Sequence, residues 1–345
     1  MSRRRYLTLA LALALGLAIF LRTASYALRP DDEGVRTRLE DFYAQPKDTL
    51  DVVFVGSSAA YAFFSPMRLY ADTGLTAAMI ATPNQTVAML PAILEEGRRT
   101  QPNALYVIEL RPMLASSEDN ARLAADLRRL TDNMPYSLNR LRCIEALAPE
   151  GERLSWHIDL AKYHDRWPEV KLSDLRLKWG RPDDNRGFAF DSNVEPVLRR
   201  DWRSVNATID PEPENVGALE ALLHYIQTRD MDVVFVATPF ALSREQAKKY
   251  NAVSALLEAR GFEFLNMNRR LDDIGLDFGT DYSDFRHVNI LGAVKCTDWI
   301  AEALAARRAP AGRQDDSAWR AALAVYRQNE SNAIARAKEA AMIGE

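Results

Sequence analysis

The fold is decided by the stretch Asp51-Val52-Val53-Phe54-Val55-Gly56-Ser57-Ser58, in which an unbroken apolar run is followed by a small polar turn. Such a run is typical of a strand that is buried on both faces of a parallel sheet. Comparable runs lie at residues 76–81, 105–110 and 232–237, and a weaker one lies at residues 262–265. Between these runs, the apolar periodicity of residues 86–100, 215–229 and 243–260 predicts helices. Strands that alternate with helices indicate an α/β fold with a doubly wound parallel sheet.

The N-terminus decides the compartment, because Arg3 to Arg5 precede a nearly unbroken apolar run at residues 6–21. A basic start followed by an apolar segment targets a chain to the secretory machinery and keeps the arginines in the cytoplasm. The run is shorter than the roughly 20 residues that span a bilayer, but residues 22–28 can extend it. We therefore predict a signal anchor at residues 1–28 in the cell membrane, followed by an extracytoplasmic domain. The alternative is a secreted protein, after cleavage of a signal peptide near Ser25-Tyr26-Ala27.

The rest of the chain divides into segments of different composition. Residues 29–50 predict a polar linker with a short helix, and residues 51–305 predict the α/β domain. Residues 115–210 lack a clear buried strand and predict a largely helical insertion. Its tryptophans are candidates for contact with a substrate or for a small core of the insertion: Trp156, Trp167, Trp179 and Trp202. Residues 290–305 predict the last domain helix, residues 306–316 a second linker, and residues 317–345 a C-terminal helix for docking on the domain or a partner.

Composition excludes several classes of function. The net charge is −4, and lysines and arginines are scattered along the chain, so no nucleic-acid partner is predicted. Cys143 and Cys296 are the only cysteines and lack the spacing of a metal site. We expect two buried thiols, with a disulfide as the alternative outside the cytoplasm. No glycine-rich phosphate-binding motif follows a predicted strand, so neither a metal nor another cofactor is predicted.

Two short segments carry candidate chemistry. Gly56-Ser57-Ser58 forms the turn after a buried strand, where backbone N–H groups can stabilise an oxyanion. The second segment, Tyr282-Ser283-Asp284-Phe285-Arg286-His287-Val288-Asn289, precedes the last domain helix. His287 can act as general base toward a serine, and Asp284 can fix its tautomer or, alternatively, cap that helix. The other histidines, which lack such a local partner, are interpreted as structural: His157, His164 and His224.

Together, these two segments resemble the blocks of the SGNH (GDSL-like) hydrolases. The sequence is similar to their extracytoplasmic branch, which includes the D-alanyl-transfer protein of teichoic-acid alanylation and the alginate-acetylation proteins. The family's first block, Gly-Asp-Ser, places the nucleophile on Ser58, and its last block, Asp-x-x-His, falls on Asp284 and His287. Asn289 and Gly292 fit the usual continuation. The resemblance spans residues 51–305 and implies a flavodoxin-like doubly wound sheet.

The middle blocks depart from the family pattern. The second block, which offers a glycine N–H to the oxyanion, corresponds to Ile80-Ala81-Thr82-Pro83-Asn84-Gln85, without a glycine. Backbone N–H groups of Ala81 or Asn84, or the Asn84 amide, are the candidate replacements. The third block normally supplies an asparagine, but the chain reads Ile108-Glu109-Leu110-Arg111-Pro112. Arg111 is the candidate substitute donor, and Glu109 is expected to pair with an arginine or bind a cationic part of the substrate.

The sequence therefore predicts a serine esterase or O-acyltransferase that acts on a cell-envelope glycan or acylated polymer. Water as the acceptor makes the protein an esterase, and a sugar or polyol hydroxyl makes it a transferase. The resemblance also implies a multi-spanning O-acyltransferase as partner at the membrane. The alternative function is a catalytically inactive envelope protein of the same fold that binds glycan or scaffolds an acylation complex. The departures in the second and third blocks support this alternative, and a fold alone does not determine function.

Overall fold

The computed structural model describes residues 3–30, 34–123, 126–171, 182–312 and 316–343. The strands are β1 (Val52–Gly56), β2 (Ala77–Ala81), β3 (Leu105–Glu109), β4 (Val233–Ala237) and β5 (Phe264–Asn266). The α-helices in the described ranges are α1 (Arg3–Leu28), α2 (Val35–Ala44), α3 (Ser58–Phe63), α4 (Pro66–Thr73), α5 (Leu90–Thr100), α6 (Ser117–Leu123), α7 (Leu127–Thr131), α8 (Leu138–Leu147), α9 (Arg153–His157), α10 (Asp159–Tyr163), α11 (Pro213–Gln227), α12 (Arg244–Ala259), α13 (Leu271–Ile274), α14 (Ile290–Arg307) and α15 (Ser317–Ile343). Short 3-10 helices lie at Val87–Met89, Arg111–Leu114, Glu150–Glu152, His164–Glu169 and Met267–Arg269.

The five strands form a parallel sheet in the order β2-β1-β3-β4-β5, which confirms the predicted α/β class. Every residue of β1 to β4 is buried, as expected for strands with helices on both faces. The chain passes from β1 to β2 on one side and then to β3 on the other side. The strand order therefore reverses at β1, and ligands of open α/β sheets bind at the carboxyl ends of the strands at such a reversal.

Helices on one side of the sheet connect the two predicted active segments. Thr297 of α14 accepts a hydrogen bond from the Ser65 N–H at 3.0 Å, at the start of α4. The ring of Phe64, in the turn between α3 and α4, stacks on Phe54 of β1 with a centroid distance of 5.2 Å. The helix after His287 is thus fixed against the helices that follow Ser58.

The C-terminal helix α15 docks on this same domain. It buries Trp319 and Tyr326, and the Tyr326 hydroxyl accepts a hydrogen bond from Ser65 at 2.7 Å. Arg68 of α4 bridges Asp298 of α14 and Glu330 of α15. Of the two alternatives predicted for this helix, docking on the domain is the one that the structure shows.

The predicted linker at residues 29–50 contains a helix that belongs to the core. Val35, Leu39 and Phe42 of α2 are essentially fully buried beside β2. The spacing of these three residues is that of one helix face, so α2 covers the edge of the sheet by ordinary amphipathic packing. The segment therefore closes the core in addition to connecting it with α1.

Within the residues that the structure describes, the insertion is helical in its first part and irregular from residue 182 onward. Short helices extend from α6 to the 3-10 helix His164–Glu169, whereas residues 182–212 run without a helix or strand. Cys143 of α8 and Cys296 of α14 are both buried free thiols. The insertion tryptophans differ in environment: Trp156 is buried, Trp202 donates a hydrogen bond to the Leu242 carbonyl, Trp167 is exposed, and Trp179 lies outside the described residues.

The N-terminal helix α1 is long and apolar enough to cross a membrane. Its residues are exposed from Arg3 to Thr23, and burial against the rest of the protein begins at Ala24. A helix whose apolar side chains are exposed all round is stable in lipid but not in water.

Candidate active site

Ser58 lies where β1 ends and α3 begins. Ser57 is the N-cap of α3 and accepts a hydrogen bond from the Ala59 N–H, so Ser58 is the first residue of the helix. Its hydroxyl is partly exposed, and Ser58 Oγ lies 2.8 Å from Nε2 of His287. The first N–H groups of a helix have no intrahelical acceptor, so the backbone beside Ser58 can donate to an oxyanion.

His287 is held by Asp284 on its other side. Nδ1 of His287 lies 2.9 Å from Oδ2 of Asp284, while Oδ1 of Asp284 accepts the N–H groups of Arg286 and His287. A carboxylate that accepts from Nδ1–H leaves Nε2 as the unprotonated nitrogen that faces the serine. The structure thus brings Ser58, His287 and Asp284 into one hydrogen-bonded chain.

The segment that carries this pair is fixed by Asn289. Its side-chain oxygen caps α14, and its amide donates to the carbonyls of Asn193, Thr280 and Tyr282. Gly292 allows a close approach here, because a Cβ atom would lie only 2.4 Å from the Asp281 carbonyl oxygen. The local fold of this segment is therefore determined by the two residues that continue the Asp-x-x-His motif.

The electrostatic surroundings keep His287 neutral. Burial lowers its pKa below the ordinary value, and the positive charge of Arg111 acts in the same direction, while Asp284 opposes both. Burial also acts on Asp284, but hydrogen bonds from the His287 ring and the Arg286 N–H lower the pKa of this carboxyl overall. At neutral pH the pair is thus a carboxylate and a neutral imidazole, which is the state required of a general base.

The pH dependence of the reaction rate on the acid side follows from the lowered pKa of His287. Only the neutral ring accepts the Ser58 proton, so reactivity falls as the pH drops through the pKa of His287. Because that pKa is lowered, we expect the midpoint below 6.5, the ordinary value of histidine. The measurement is the second-order rate constant of inactivation by a fluorophosphonate, from acidic pH to about pH 8. A midpoint at or above 6.5 would contradict the environment described for His287.

A buried charge network lies directly behind the nucleophile turn. Glu109, at the end of β3, is fully buried and accepts hydrogen bonds from the Ser57 hydroxyl at 3.1 Å, the Thr238 hydroxyl at 3.2 Å and the Arg111 N–H at 2.8 Å. Burial raises the pKa of Glu109, and the charge of Arg111 opposes that rise. Gly56 is required beside it, because a Cβ atom there would lie 2.7 Å from Cβ of Glu109.

Arg111 connects this network to the histidine segment. Its Nη2 donates to the Thr238 hydroxyl at 2.7 Å, and its Nη1 donates to the Arg286 carbonyl at 2.8 Å. The guanidinium carbon lies 5.2 Å from the centre of the Phe63 ring and 4.6 Å from that of Phe240. Burial lowers the pKa of Arg111, and Glu109 opposes that shift. The side chains of Glu109 and Arg111 are thus connected through the Thr238 hydroxyl, and the direct pairing of Glu109 with an arginine stays a prediction.

The two second-block candidates make other contacts. Ala81 pairs with Gly56 in the sheet, and its carbonyl accepts a hydrogen bond from Arg38 at 3.4 Å. The Asn84 amide donates to Asp126 at 2.8 Å, and its φ of 54° is left-handed. Neither contact involves Ser58, so the role of these residues as oxyanion donors stays a prediction. For Arg111, the two Nη hydrogen bonds indicate positioning of the histidine segment, and its Nε has no hydrogen-bond partner in the described structure.

The irregular half of the insertion reaches the site. The Ala189 N–H donates to Tyr61 of α3, and the Glu195 N–H donates to the Tyr282 carbonyl. This segment therefore contacts both the nucleophile helix and the histidine segment. Within the described ranges, no cluster of three or more His, Cys, Asp or Glu residues is arranged to hold a metal ion.

Thr238 and the positioning role of Ser57 were not predicted from the sequence. Thr238 follows β4, and only the parallel pairing of Glu109 with Val236 brings it beside β3. Glu109 itself indicated that such donors exist, because a lone carboxylate at the end of a buried apolar strand needs buried hydrogen-bond donors. His157, interpreted as structural, does have a partner, since its Nε2 lies 2.9 Å from Glu145.

Comparison of the sequence with protein-family models and with curated proteins gives no relative from which a function can be transferred. No protein-family model matches the chain, and no curated protein matches it. The function must therefore be argued from the geometry of the site.

Proposed function

We propose that this protein is a membrane-anchored serine esterase or O-acyltransferase of the SGNH type. One observation carries the proposal: Ser58 Oγ lies 2.8 Å from His287 Nε2, although 229 positions separate the two residues in sequence. Asp284 holds the other ring nitrogen at 2.9 Å. In this arrangement a neutral base contacts the serine hydroxyl, and a carboxylate orients the base. Such an arrangement activates a hydroxyl for nucleophilic attack.

The reaction proceeds in two balanced halves. Ser58 Oγ attacks the carbonyl carbon of an ester while its proton passes to Nε2 of His287, and the Ser58 N–H is the proposed donor to the developing oxyanion. The bond to the alcohol breaks, His287 returns the proton to the leaving oxygen, and an acyl-serine ester remains. Water or a sugar hydroxyl then attacks this ester, and His287 takes the proton of the attacking group. The bond between the acyl group and Ser58 Oγ then breaks, His287 returns the proton to Ser58 Oγ, and the acyl group leaves as an acid or as a new ester.

The fold supports this assignment. The strand order 2-1-3-4-5 is that of the flavodoxin-like doubly wound sheets, and Ser58 follows β1, where the order reverses. The family resemblance of the Gly-Ser-Ser and Asp-x-x-His segments supports the narrower SGNH assignment. The candidate oxyanion donors depart from the family pattern, because the segment Ile108-Glu109-Leu110-Arg111-Pro112 has no asparagine and the second block has no glycine.

The anchor supports a substrate at the cell envelope. Ala24, Ser25 and Ala27 of α1 are buried against the domain, so cleavage after Ala27 would remove part of the packed structure. This favours a retained signal anchor, with Arg3 to Arg5 in the cytoplasm and the domain outside. The proposed substrates are ester-linked acyl groups of an envelope glycan or polymer, and a multi-spanning O-acyltransferase is the proposed source of acyl groups from across the membrane.

Labelling with a fluorophosphonate probe tests the proposal against the inactive-protein alternative. We expect wild type and Ser57→Ala to be labelled, and Ser58→Ala and His287→Ala to remain unlabelled, because the probe requires an activated serine. Each variant is first shown to be folded by its circular dichroism spectrum. Absence of labelling in folded wild-type protein, at every probe size tried, would support the glycan-binding or scaffolding alternative. Labelling that persists in Ser58→Ala would place the nucleophile elsewhere.

A further inference from the structure

The exposed part of α1 that follows the three arginines is nearly as long as the hydrocarbon core of a bilayer is thick. Residues 6–23 extend about 27 Å at about 1.5 Å per residue, and the hydrocarbon core is roughly 30 Å thick. Arg22 lies at the end of this part, where its long side chain can reach the headgroups. Burial against the domain begins directly afterwards, at Ala24. The domain therefore starts within about one helical turn of the membrane boundary.

The insertion supplies the elements that hold this end of α1. Both α10 and the 3-10 helix His164–Glu169 pack against α1. Arg166 donates a hydrogen bond to the carbonyl of Leu28, the last residue of α1, and Arg29 donates to the carbonyl of Asp132. These contacts fix the insertion beside the point where α1 leaves the bilayer.

Residues 153–169 of the insertion, which include both of the elements that pack against α1, expose large apolar side chains. Leu154 is 71% exposed, Ile158 is 48% exposed and Trp167 is 51% exposed. Trp167 follows Arg166, which contacts the end of α1 directly. Tryptophan is enriched at the membrane interface because its ring is apolar while its N–H remains near water. When an element lies beside a membrane boundary, its exposed apolar side chains are stabilised by entering the interface, because they leave water.

We infer that residues 153–169 form a second membrane contact, in which Leu154, Ile158 and Trp167 enter the interfacial layer of the bilayer. This inference rests on the proposed anchor. With α1 alone, the domain is tethered to the membrane but remains free to rotate about the axis of α1. The second contact removes this rotation and so fixes the orientation of the domain. The active site is then held at a fixed height above the lipid, which suits a substrate that is itself attached to the membrane or delivered there.

Lipid accessibility tests this contact in the full-length protein reconstituted in liposomes. An environment-sensitive fluorophore is attached to a single introduced cysteine in Ile158→Cys, Trp167→Cys, Leu13→Cys or Leu198→Cys. Leu13 in α1 reports on the anchor, and Leu198, 72% exposed, is the matched apolar control in a segment whose Val197 N–H donates to the Phe278 carbonyl. The wild-type protein, with its two buried thiols, gives the background. Iodide is present on both faces of the bilayer, and brominated lipids report on lipid contact.

We expect the fluorophores at positions 13, 158 and 167 to be quenched by brominated lipids. We also expect iodide to quench the fluorophore at position 198 at least about three times as strongly as those at positions 13, 158 and 167. If position 13 is in lipid while 158 or 167 is as accessible to iodide as 198, the second contact is refuted and the anchor stands. If position 13 is itself accessible to iodide, the anchor fails and the inference fails with it. The catalytic proposal is independent of both outcomes.

Discussion

Replacing Ser58 by alanine is expected to lower the rate of ester hydrolysis about 10³-fold or more, because the substitution removes the atom that bonds to the acyl group. The remaining rate then comes from direct attack by water in the same pocket. The measurement is kcat/KM for an activated acetyl ester such as p-nitrophenyl acetate, with the protein in detergent. His287→Ala should lose a similar factor, since Ser58 and His287 act as one unit.

Ser57→Ala is the matched control for this loss. Ser57 caps α3 and donates to Glu109, but its hydroxyl contacts neither His287 nor Asp284 in the structure. We expect this variant to keep most of the hydrolysis rate and to lose about 1 kcal/mol of unfolding free energy with the cap. Equal rates for Ser58→Ala and wild type would contradict the assignment of the nucleophile, and so would a larger loss in Ser57→Ala than in Ser58→Ala.

Arg111→Met is expected to lower the free energy of unfolding by about 3–5 kcal/mol, because Glu109 would remain buried without its compensating charge. Urea-induced unfolding in detergent, followed by tryptophan fluorescence, measures this change. The same variant removes a positive charge near His287 and the hydrogen bond to the Arg286 carbonyl. The pKa of His287 should therefore rise, and the acid limb of the inactivation profile should move to higher pH.

A double variant separates charge compensation from simple packing. Adding Glu109→Gln to Arg111→Met removes the buried negative charge, so part of the lost stability should return. Additive losses in the double variant would contradict the pairing of the two charges through Thr238. An acid limb that stays in place in Arg111→Met would contradict the electrostatic influence of Arg111 on His287, whatever the change in stability.

The elements of the fold could be predicted because their signals are local. An unbroken apolar run such as Val52–Gly56 is almost unavoidably a buried strand, and Asn289 caps the helix after His287 through its own side chain. The short helix predicted within the linker at residues 29–50 is α2, but its polar composition did not indicate that the helix packs into the core. The buried residues Val35, Leu39 and Phe42 had the spacing of a helix face, so the periodicity carried more information than the composition.

The site was predictable only in the parts that a short motif contains. Asp284 and His287 are three residues apart, and their hydrogen bonds form within one turn. The Glu109 network depends instead on the register between β3 and β4, which places Thr238 beside Glu109 across 129 positions of sequence. Sequence patterns give strand identity but not strand neighbours, so the supporting residues behind the nucleophile emerge only from the assembled sheet.

Trapping of an acyl-enzyme tests the central claim most directly. Wild-type protein is mixed with an activated acetyl ester and quenched in acid, where the serine ester is stable, and peptide mass spectrometry locates the acetyl group. The account predicts one acetyl group per chain on Ser58, no acetyl group on Ser57, and loss of the modification in His287→Ala. An acetyl group on another residue, or a folded wild-type protein that never acquires one while it hydrolyses the ester, would contradict it.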